Sequence, residues 1–376
     1  MRRMILATAV VLTAIGAPPS ASAQSNTFTV DCNRGQKIAV ALEHGDFRKP
    51  IVINLRGTCR EFVTITRDNV TLRGDPAAEL LAPAQNADLV TIEARGVTLD
   101  SLTLTGGRYG VRNSQGLSVS ISHCVIQGTS SDGLRGFVGD ARLMNTTVRN
   151  AGGAGVYLSR GASVGISEDS HIVGNAGAGI HAERNSTVVV SASEISGNGS
   201  NGVQLQNGSF GSVSSSVIEG NGTDDDKPGA GIAISQSQAG MLNNNTIRYN
   251  REDGVIVTAG GIATLDDNTI AENGQHGVNA YLGSLLVLHG NVISDNRYSG
   301  VVGYAHATVQ IGGATIRDNR GGAGISMMYG SKLMLEAPTT ISQGNFGALW
   351  CGDHESSVND LSLLDAGGDT VFCTGY

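Results

Sequence analysis

Between Asn245 and Ile325 the chain reads N-T-I-R-Y-N-R-E-D-G-V (245–255), N-T-I-A-E-N-G-Q-H-G-V (268–278), N-V-I-S-D-N-R-Y-S-G-V (291–301) and A-T-I-R-D-N-R-G-G-A-G-I (314–325). Each unit centres on an Ile in a short apolar segment. An Asn follows three residues later, and then a Gly with Val or Ile behind it. The same Gly recurs at 110, 133, 155, 179, 202, 231, 254, 277, 300 and 324, with gaps of 23, 22, 24, 23, 29, 23, 23, 23 and 24 residues. A fixed period of this length marks a solenoid, in which each repeat buries its apolar face only by stacking on its neighbours.

All ten residues that follow the marker Gly are branched aliphatics, from Val111 and Leu134 to Val301 and Ile325. That column faces an interior. Two residues further on the positions are mostly apolar or small, as the second inward position of a period-2 strand requires. The Asn column (Asn175, Asn198, Asn221, Asn250, Asn273, Asn296, Asn319 and Asn345) sits at a turn. Its side chains either hydrogen-bond the coils above and below or serve for their tolerance of left-handed backbone. The 53 Gly and only 16 aromatics suit narrow coils with tight turns. No Leu-x-x-Leu-x-Leu frame persists, which disfavours a leucine-rich repeat. The expected fold is an all-β parallel β-helix of about a dozen coils, a rod ~55–60 Å long at ~4.8 Å per strand.

The ends differ. Arg2 and Arg3, an apolar run over Met4–Ile15 and Ala21-Ser22-Ala23 read as a secretory signal peptide cleaved near Ala23. Arg2-Arg3 also faintly resembles a twin-arginine export motif; the general export route is the reading adopted. No later run reaches the ~20 apolar residues of a membrane helix, so no membrane insertion is expected. Loss of Arg2 and Arg3 takes the net charge from −8 to −10. An acidic chain without Lys/Arg runs is a poor nucleic-acid binder. The place expected for it is the periplasm or the outside of the cell, as a monomer. In an oxidising compartment Cys32 with Cys59, and Cys351 with Cys373, are read as two disulfides, one stapling each end. Cys124 is left as a small buried hydrophobe. Gly35–Gly45 has the apolar spacing of a short amphipathic helix laid over the first coil. Trp350 is expected to cover the last coil, where the repeat is lost.

One coil is long, and its extra residues include Thr223-Asp224-Asp225-Asp226-Lys227-Pro228. Three adjacent carboxylates could take Ca²⁺, but neighbours in sequence point different ways, so a solvated insertion is preferred. No motif requires Ca²⁺ or another cofactor.

The coil pattern resembles right-handed parallel β-helix repeat proteins with the pectate-lyase-like fold. The Asn-x-Ile…Asn…Gly-Val/Ile units look like those of the NosD-type and mannuronan C5-epimerase-like branches. Val30-Asp31-Cys32 through Gly57-Thr58-Cys59-Arg60-Glu61-Phe62-Val63-Thr64-Ile65 is similar to the cap of exported members. The organisation implied is a signal peptide (1–23), an N-terminal cap (24–62), a right-handed parallel β-helix (63–348) and a C-terminal cap (349–376). This fold hosts lyases, hydrolases, epimerases and inert stalks, so activity must be argued from a site.

The outward positions of the Gly-Val strand are the place to look. The first outward column reads Arg112, Arg135, Tyr157, His181, Gln204, Ala233, Ile256, Asn279, Val302, Ser326. The second reads Ser114, Phe137, Ser159, Glu183, Gln206, Ser235, Thr258, Tyr281, Tyr304, Met328. These columns are enriched in aromatics, as a sugar-stacking face would be. Removing the C5 proton of a uronate needs a cation for the carboxylate, a base and an acid. Arg135 or Arg112 would neutralise, His181 take the proton, and Tyr157 serve as acid, with Glu183 orienting the imidazole or raising its pKa. Arg112, Arg160, Arg184, Gln204, Phe137, Asn279, Tyr281 and Tyr304 would bind substrate. In the epimerase-like branch the catalytic strand carries Asp then His after Tyr-Gly; here Gly179-Ile180-His181-Ala182-Glu183 reverses the order, and Ala178 replaces the Tyr. Asn279, Tyr281, Tyr304 and His306, with His276, form a second cluster without a nearby carboxylate, which suits recognition.

Two principal readings follow. One is an exported β-helix that binds carbohydrate along one face, with lyase or C5-epimerase action on a uronate-containing polysaccharide as its enzymatic form. The other is a non-catalytic adhesive or structural module for a cell-surface glycan. A NosD-like accessory role rests on fold analogy alone.

Overall fold

The computed structural model describes residues 26–342, 347–353 and 355–373. The expected signal peptide and Asn345 lie outside the described residues. The chain is a stack of parallel coils. One face is a 14-stranded parallel sheet that runs from Val63–Ile65 to Val371–Phe372. The other two strands of each coil form two further ladders. They merge near the N-terminal end, where the long strand Thr98–Thr105 pairs with both Val119–Ser122 and Val125–Gln127.

A single coil shows why. Val255–Thr258, Ile262–Asp266 and Thr269–Ala271 are its strands. Val255, Val257, Ala263, Leu265 and Ile270 point inward and are fully buried. Burying an aliphatic side chain of this size contributes ~1.5–3 kcal/mol, and the core is one continuous column of such residues.

The Asn column settles between its two structural roles. Left-handed backbone is carried by the residue before each Asn (Gly197, Gly220, Tyr249, Glu272, Asp295, Asp318). The Asn itself is buried and bonds along the stack. Asn250 Oδ1 accepts from Asn221 N at 3.1 Å and Nδ2 at 3.0 Å, while Asn250 Nδ2 donates to Ile218 O and to Asn273 Oδ1 at 3.2 and 3.0 Å. A second ladder, Asn245–Asn268–Asn291, repeats the pattern at another corner.

The two ends hold more of the stack than the period suggests. Asn26–Asp31 already pairs in parallel with Ile51–Arg60, so stacking starts before the repeat is legible. The residues after Leu349 form one further coil: Ser357–Val358, Leu364–Asp365 and Val371–Phe372 pair onto the preceding strands. Among the described residues the face therefore has fourteen rungs rather than about a dozen, or ~62 Å at ~4.8 Å per spacing. The short helix is Ile38–Leu42, with Ile38, Ala41 and Leu42 buried in the core. Its amides at Ile38 and Ala39 are capped by the Glu61 carboxylate at 3.0 and 3.4 Å. Disulfides join Cys32 to Cys59 and Cys351 to Cys373, and Cys124 is a buried free thiol. No described helix is long and apolar enough to cross a membrane.

Trp350 does not close the stack. Its strand, Leu349–Cys351, continues the 14-stranded face, and Trp350 lies outward in register with Ser326 and Phe372. It is 42% exposed. The inward position beside it is filled by Leu349, as period 2 demands.

Candidate functional site

The parallel register aligns the outward residues. Arg112 faces Arg135, Arg135 faces Tyr157, Tyr157 faces His181 and His181 faces Gln204 on successive strands. Inward Val111, Leu134, Val156, Ile180 and Val203 are fully buried and fix these strands to the core. The polar column is thereby held on a rigid sheet rather than on loops.

Three guanidinium groups surround one ring. The Cζ atoms of Arg112, Arg135 and Arg160 lie 5.3, 5.2 and 5.6 Å from the Phe137 ring centroid. Arg135 also stacks on Tyr157 at 3.8 Å and on Tyr109 at 5.3 Å. Such contacts contribute ~0.5–2 kcal/mol each, more when desolvated. Like charges this close need compensation, and part of it is present. Arg135 Nη1 donates to Asp132 Oδ2 at 2.6 Å, and Asp88 pairs with Arg108 at 2.9 Å and with Arg112 at 3.4 Å. Arg184 lies 3.5 Å from Glu183. Arg160 makes no ion pair among the described residues. Arg108, Arg112, Arg135 and Arg184 thus share Asp88, Asp132 and Glu183, and Arg160 adds a fifth positive charge. Even counting Glu93, which precedes Ser114 in the same outward column, the patch is net positive on a chain of net charge −8.

Asp88, Tyr109 and Asp132 are absent from the sequence expectation. Asp132 precedes a marker Gly, and its Oδ1 accepts from Ala154 N of the next coil at 2.9 Å. The residue before each marker Gly is the signal that would have found it.

Glu183 does not orient His181. It accepts from the Tyr157 hydroxyl at 2.6 Å and from Ser159 Oγ at 3.3 Å, both one coil back. Two residues apart on one strand face, the His181 and Glu183 side chains stand side by side, and the carboxylate reaches the neighbouring coil instead. The Tyr157 hydrogen bond leads the effects that hold Glu183 below the usual carboxylate range, with burial opposing. Burial and that carboxylate push Tyr157 up to about 12. Burial lowers the His181 imidazole, with Gln206, Glu183 and Asp132 opposing. The imidazole is neutral at pH 7, and its ring packs edge-on to Tyr157 at 5.0 Å. Its Nε2 is out of contact with solvent and has no hydrogen-bond partner among the described residues. The Tyr157 hydroxyl is therefore a hydrogen-bond donor in this arrangement, and the His181 Nε2 is withdrawn from solvent.

Further along the face the surface is concave. A cavity of about 480 Å³ is lined by residues including Asn279, Tyr281 and Tyr304. The second cluster does contain carboxylates: Glu252 and Asp253 line the same cavity. Asp253 again precedes a marker Gly. Its Oδ1 accepts from His276 N at 2.9 Å and its Oδ2 from Asn279 Nδ2 at 3.1 Å. Burial pushes Asp253 up to about 6. His276 is half-buried, its pKa is lowered by desolvation to about 4, and it accepts from Ser299 N through Nδ1 at 3.1 Å. It builds the wall of the cavity.

In the long coil Lys227 pairs with Asp224 at 2.7 Å and Arg251 with Asp225 at 3.2 Å. Among the described residues no three His, Cys, Asp or Glu side chains gather where they could hold a metal ion.

The family model for the right handed beta helix region matches residues 109–261 and 223–346, together well over half of the chain. The chain belongs to the right-handed β-helix family. No curated protein matches this β-helix chain in sequence. Among solved structures it is similar to the A-module of the mannuronan C-5 epimerase AlgE4 of Azotobacter vinelandii, with TM-score 0.51 and 15% identity over 86% of this chain and 93% of that one. It is also similar to the pectate lyase Pel9A, with TM-score 0.47 and 14% identity over 78% of each chain. The periplasmic alginate epimerase AlgG gives TM-score 0.48 and 12% identity over 83% of this chain and 77% of that one. At these identities the likeness is one of fold, and a β-helix can carry many activities.

Proposed function

We propose that this β-helix protein is exported and binds a uronate-containing polysaccharide along the Gly-Val face, with the polymer lying across the arginine–aromatic patch. The observation that carries it is the convergence of Arg112, Arg135 and Arg160 on Phe137, beside Tyr157 and Tyr109. Pyranose rings offer apolar C–H faces to aromatic rings, and uronate carboxylates suit the guanidinium fork. Arg160, which makes no ion pair among the described residues, is placed to take one. A mannuronan C-5 epimerase module among proteins of similar fold supports this ligand class, and two disulfides support an oxidising location.

Turnover is a second reading, favoured by Arg135, Tyr157, and His181 with Glu183 lying on three successive coils. In it an Arg neutralises the uronate carboxylate, neutral His181 removes the C5 proton after turning outward, and Tyr157 protonates the opposite face or the leaving oxygen. Incubation of the mature protein with acidic polysaccharides, with and without Ca²⁺, tests both. Binding without reaction supports the first reading alone. Unsaturated-uronate absorbance marks a lyase, and altered anomeric proton signals without chain cleavage mark an epimerase. No binding to any uronate polymer removes both.

A further inference from the structure

The Gly-Val face changes chemical character along its length. Its first half, through Arg184, is cationic. The 480 Å³ cavity lies further along, and an adjoining one of about 520 Å³ contains Trp350 and Phe372. Met328 lines both, so they form one groove. The groove covers six rungs from Val255–Thr258 to Val371–Phe372, ~24 Å at ~4.8 Å per spacing. Among the described residues no Lys or Arg lines it, whereas Glu252 and Asp253 do. Asp253 makes no ion pair among the described residues.

We infer that this groove is a second glycan site, and that it takes a neutral oligosaccharide rather than a uronate. Tyr281 and Tyr304 stand in register on adjacent strands, and Trp350 and Phe372 do so near the far end. These are platforms for the apolar faces of pyranose rings. Val302 and Ser326 are small enough to form a floor between them and are 4% and 5% exposed. The Asp253–Asn279 pair at 3.1 Å presents acceptor and donor atoms at one edge, the pairing that reads sugar hydroxyls. A uronate carboxylate placed there would meet the unpaired Asp253 carboxylate and a Glu252 whose own cation, Arg251 at 3.8 Å, is already engaged, so charge disfavours it. The combined volume is in the range of sites for small ligands. This inference stands apart from the uronate reading, because it uses none of the arginine patch.

Trp350 is the chain's single tryptophan, so emission excited at the red edge, where tyrosine does not absorb, reports on this groove. The mature protein is titrated with neutral gluco-, manno- and galacto-hexasaccharides and, in parallel, with an oligouronate of equal length. A saturable shift in emission is expected with at least one neutral hexasaccharide and at least tenfold weaker binding of the oligouronate. Tyr281→Ala and Tyr304→Ala, with unchanged far-ultraviolet circular dichroism, should weaken the neutral response at least tenfold. Tyr281→Phe, which keeps the ring, should retain it. Equal or tighter oligouronate binding at Trp350 overturns the inference, as does the lack of a response to every neutral sugar. Failure of oligouronate binding at the arginine patch, read by calorimetry, bears only on the proposed function.

Discussion

The Tyr157 hydroxyl donates to the Glu183 carboxylate at 2.6 Å across two neighbouring coils. The pair ties the titration of both groups to folding. Glu183 has a lowered folded pKa, so its contribution to stability is present above its unfolded value and is lost as pH falls through the folded value. Tyr157 is raised to about 12, so its contribution is full below about 10 and is lost as pH rises through about 12. Glu183→Gln should cost ~1–2 kcal/mol at pH 7, as loss of a charge-assisted hydrogen bond does. Ultraviolet titration should show Tyr157 ionising earlier in that variant, though still late because burial remains. An unchanged tyrosine titration would contradict the hydrogen bond.

Asp253 has the opposite sign. A carboxyl whose folded pKa is raised to about 6 contributes fully below its unfolded value near 4 and loses that contribution as pH rises through about 6. Asn in its place keeps an acceptor for the His276 amide and carries no charge. Asp253→Asn should match the parent near pH 4 and exceed it by about 2–3 kcal/mol at pH 8. Urea unfolding at the two pH values checks this, and a variant less stable than the parent at pH 8 would refute it.

The Asn ladder makes a sharper demand. Asn250→Ala leaves Asn221 N and Nδ2 and Ile218 O without their partner in a buried corner. Each orphaned group costs ~1–3 kcal/mol, so three of them set an expected loss of at least ~3 kcal/mol. Asn250→Asp should be worse, since an oxygen would face Ile218 O and Asn273 Oδ1. Urea midpoints rank the two variants.

Cys351 and Cys373 close the last coil. Cys351→Ser should lower stability by ~3 kcal/mol in the chain-entropy model. Because a solenoid end has a neighbour on one side only, the loss should appear first as protease cleavage after Leu349, with the central coils still protected. Cleavage scattered through the central coils instead would contradict it.

The period in Gly254, Gly277 and Gly300 made the face readable, and the register pairs Arg135 with Tyr157 and Tyr157 with His181 as the columns imply. Alternation and period are backbone properties, so they survive in sequence. What a side chain reaches for is not. Glu183 turns to Tyr157 because the neighbouring coil is closer than its own strand-mate, and no spacing rule carries that. Asp132 and Asp253 were hidden because they precede the marker Gly, in turns where the inward and outward alternation of a strand does not apply. The first and last coils were hidden for a different reason: Asn26–Asp31 and Val371–Phe372 keep the strand pairing without the Asn and Gly-Val marks.

The central claim is that the arginine–aromatic patch binds uronate. The most direct measurement is calorimetric titration of the mature protein with oligouronates, at low and at ~0.15 M salt, beside the Arg135→Ala/Arg160→Ala double variant. The account predicts saturable binding that weakens with salt and falls ~10–100-fold in the double variant, the loss of one charge-assisted contact or more. Equal affinity in the double variant, or no binding of any oligouronate to the parent protein, would contradict it.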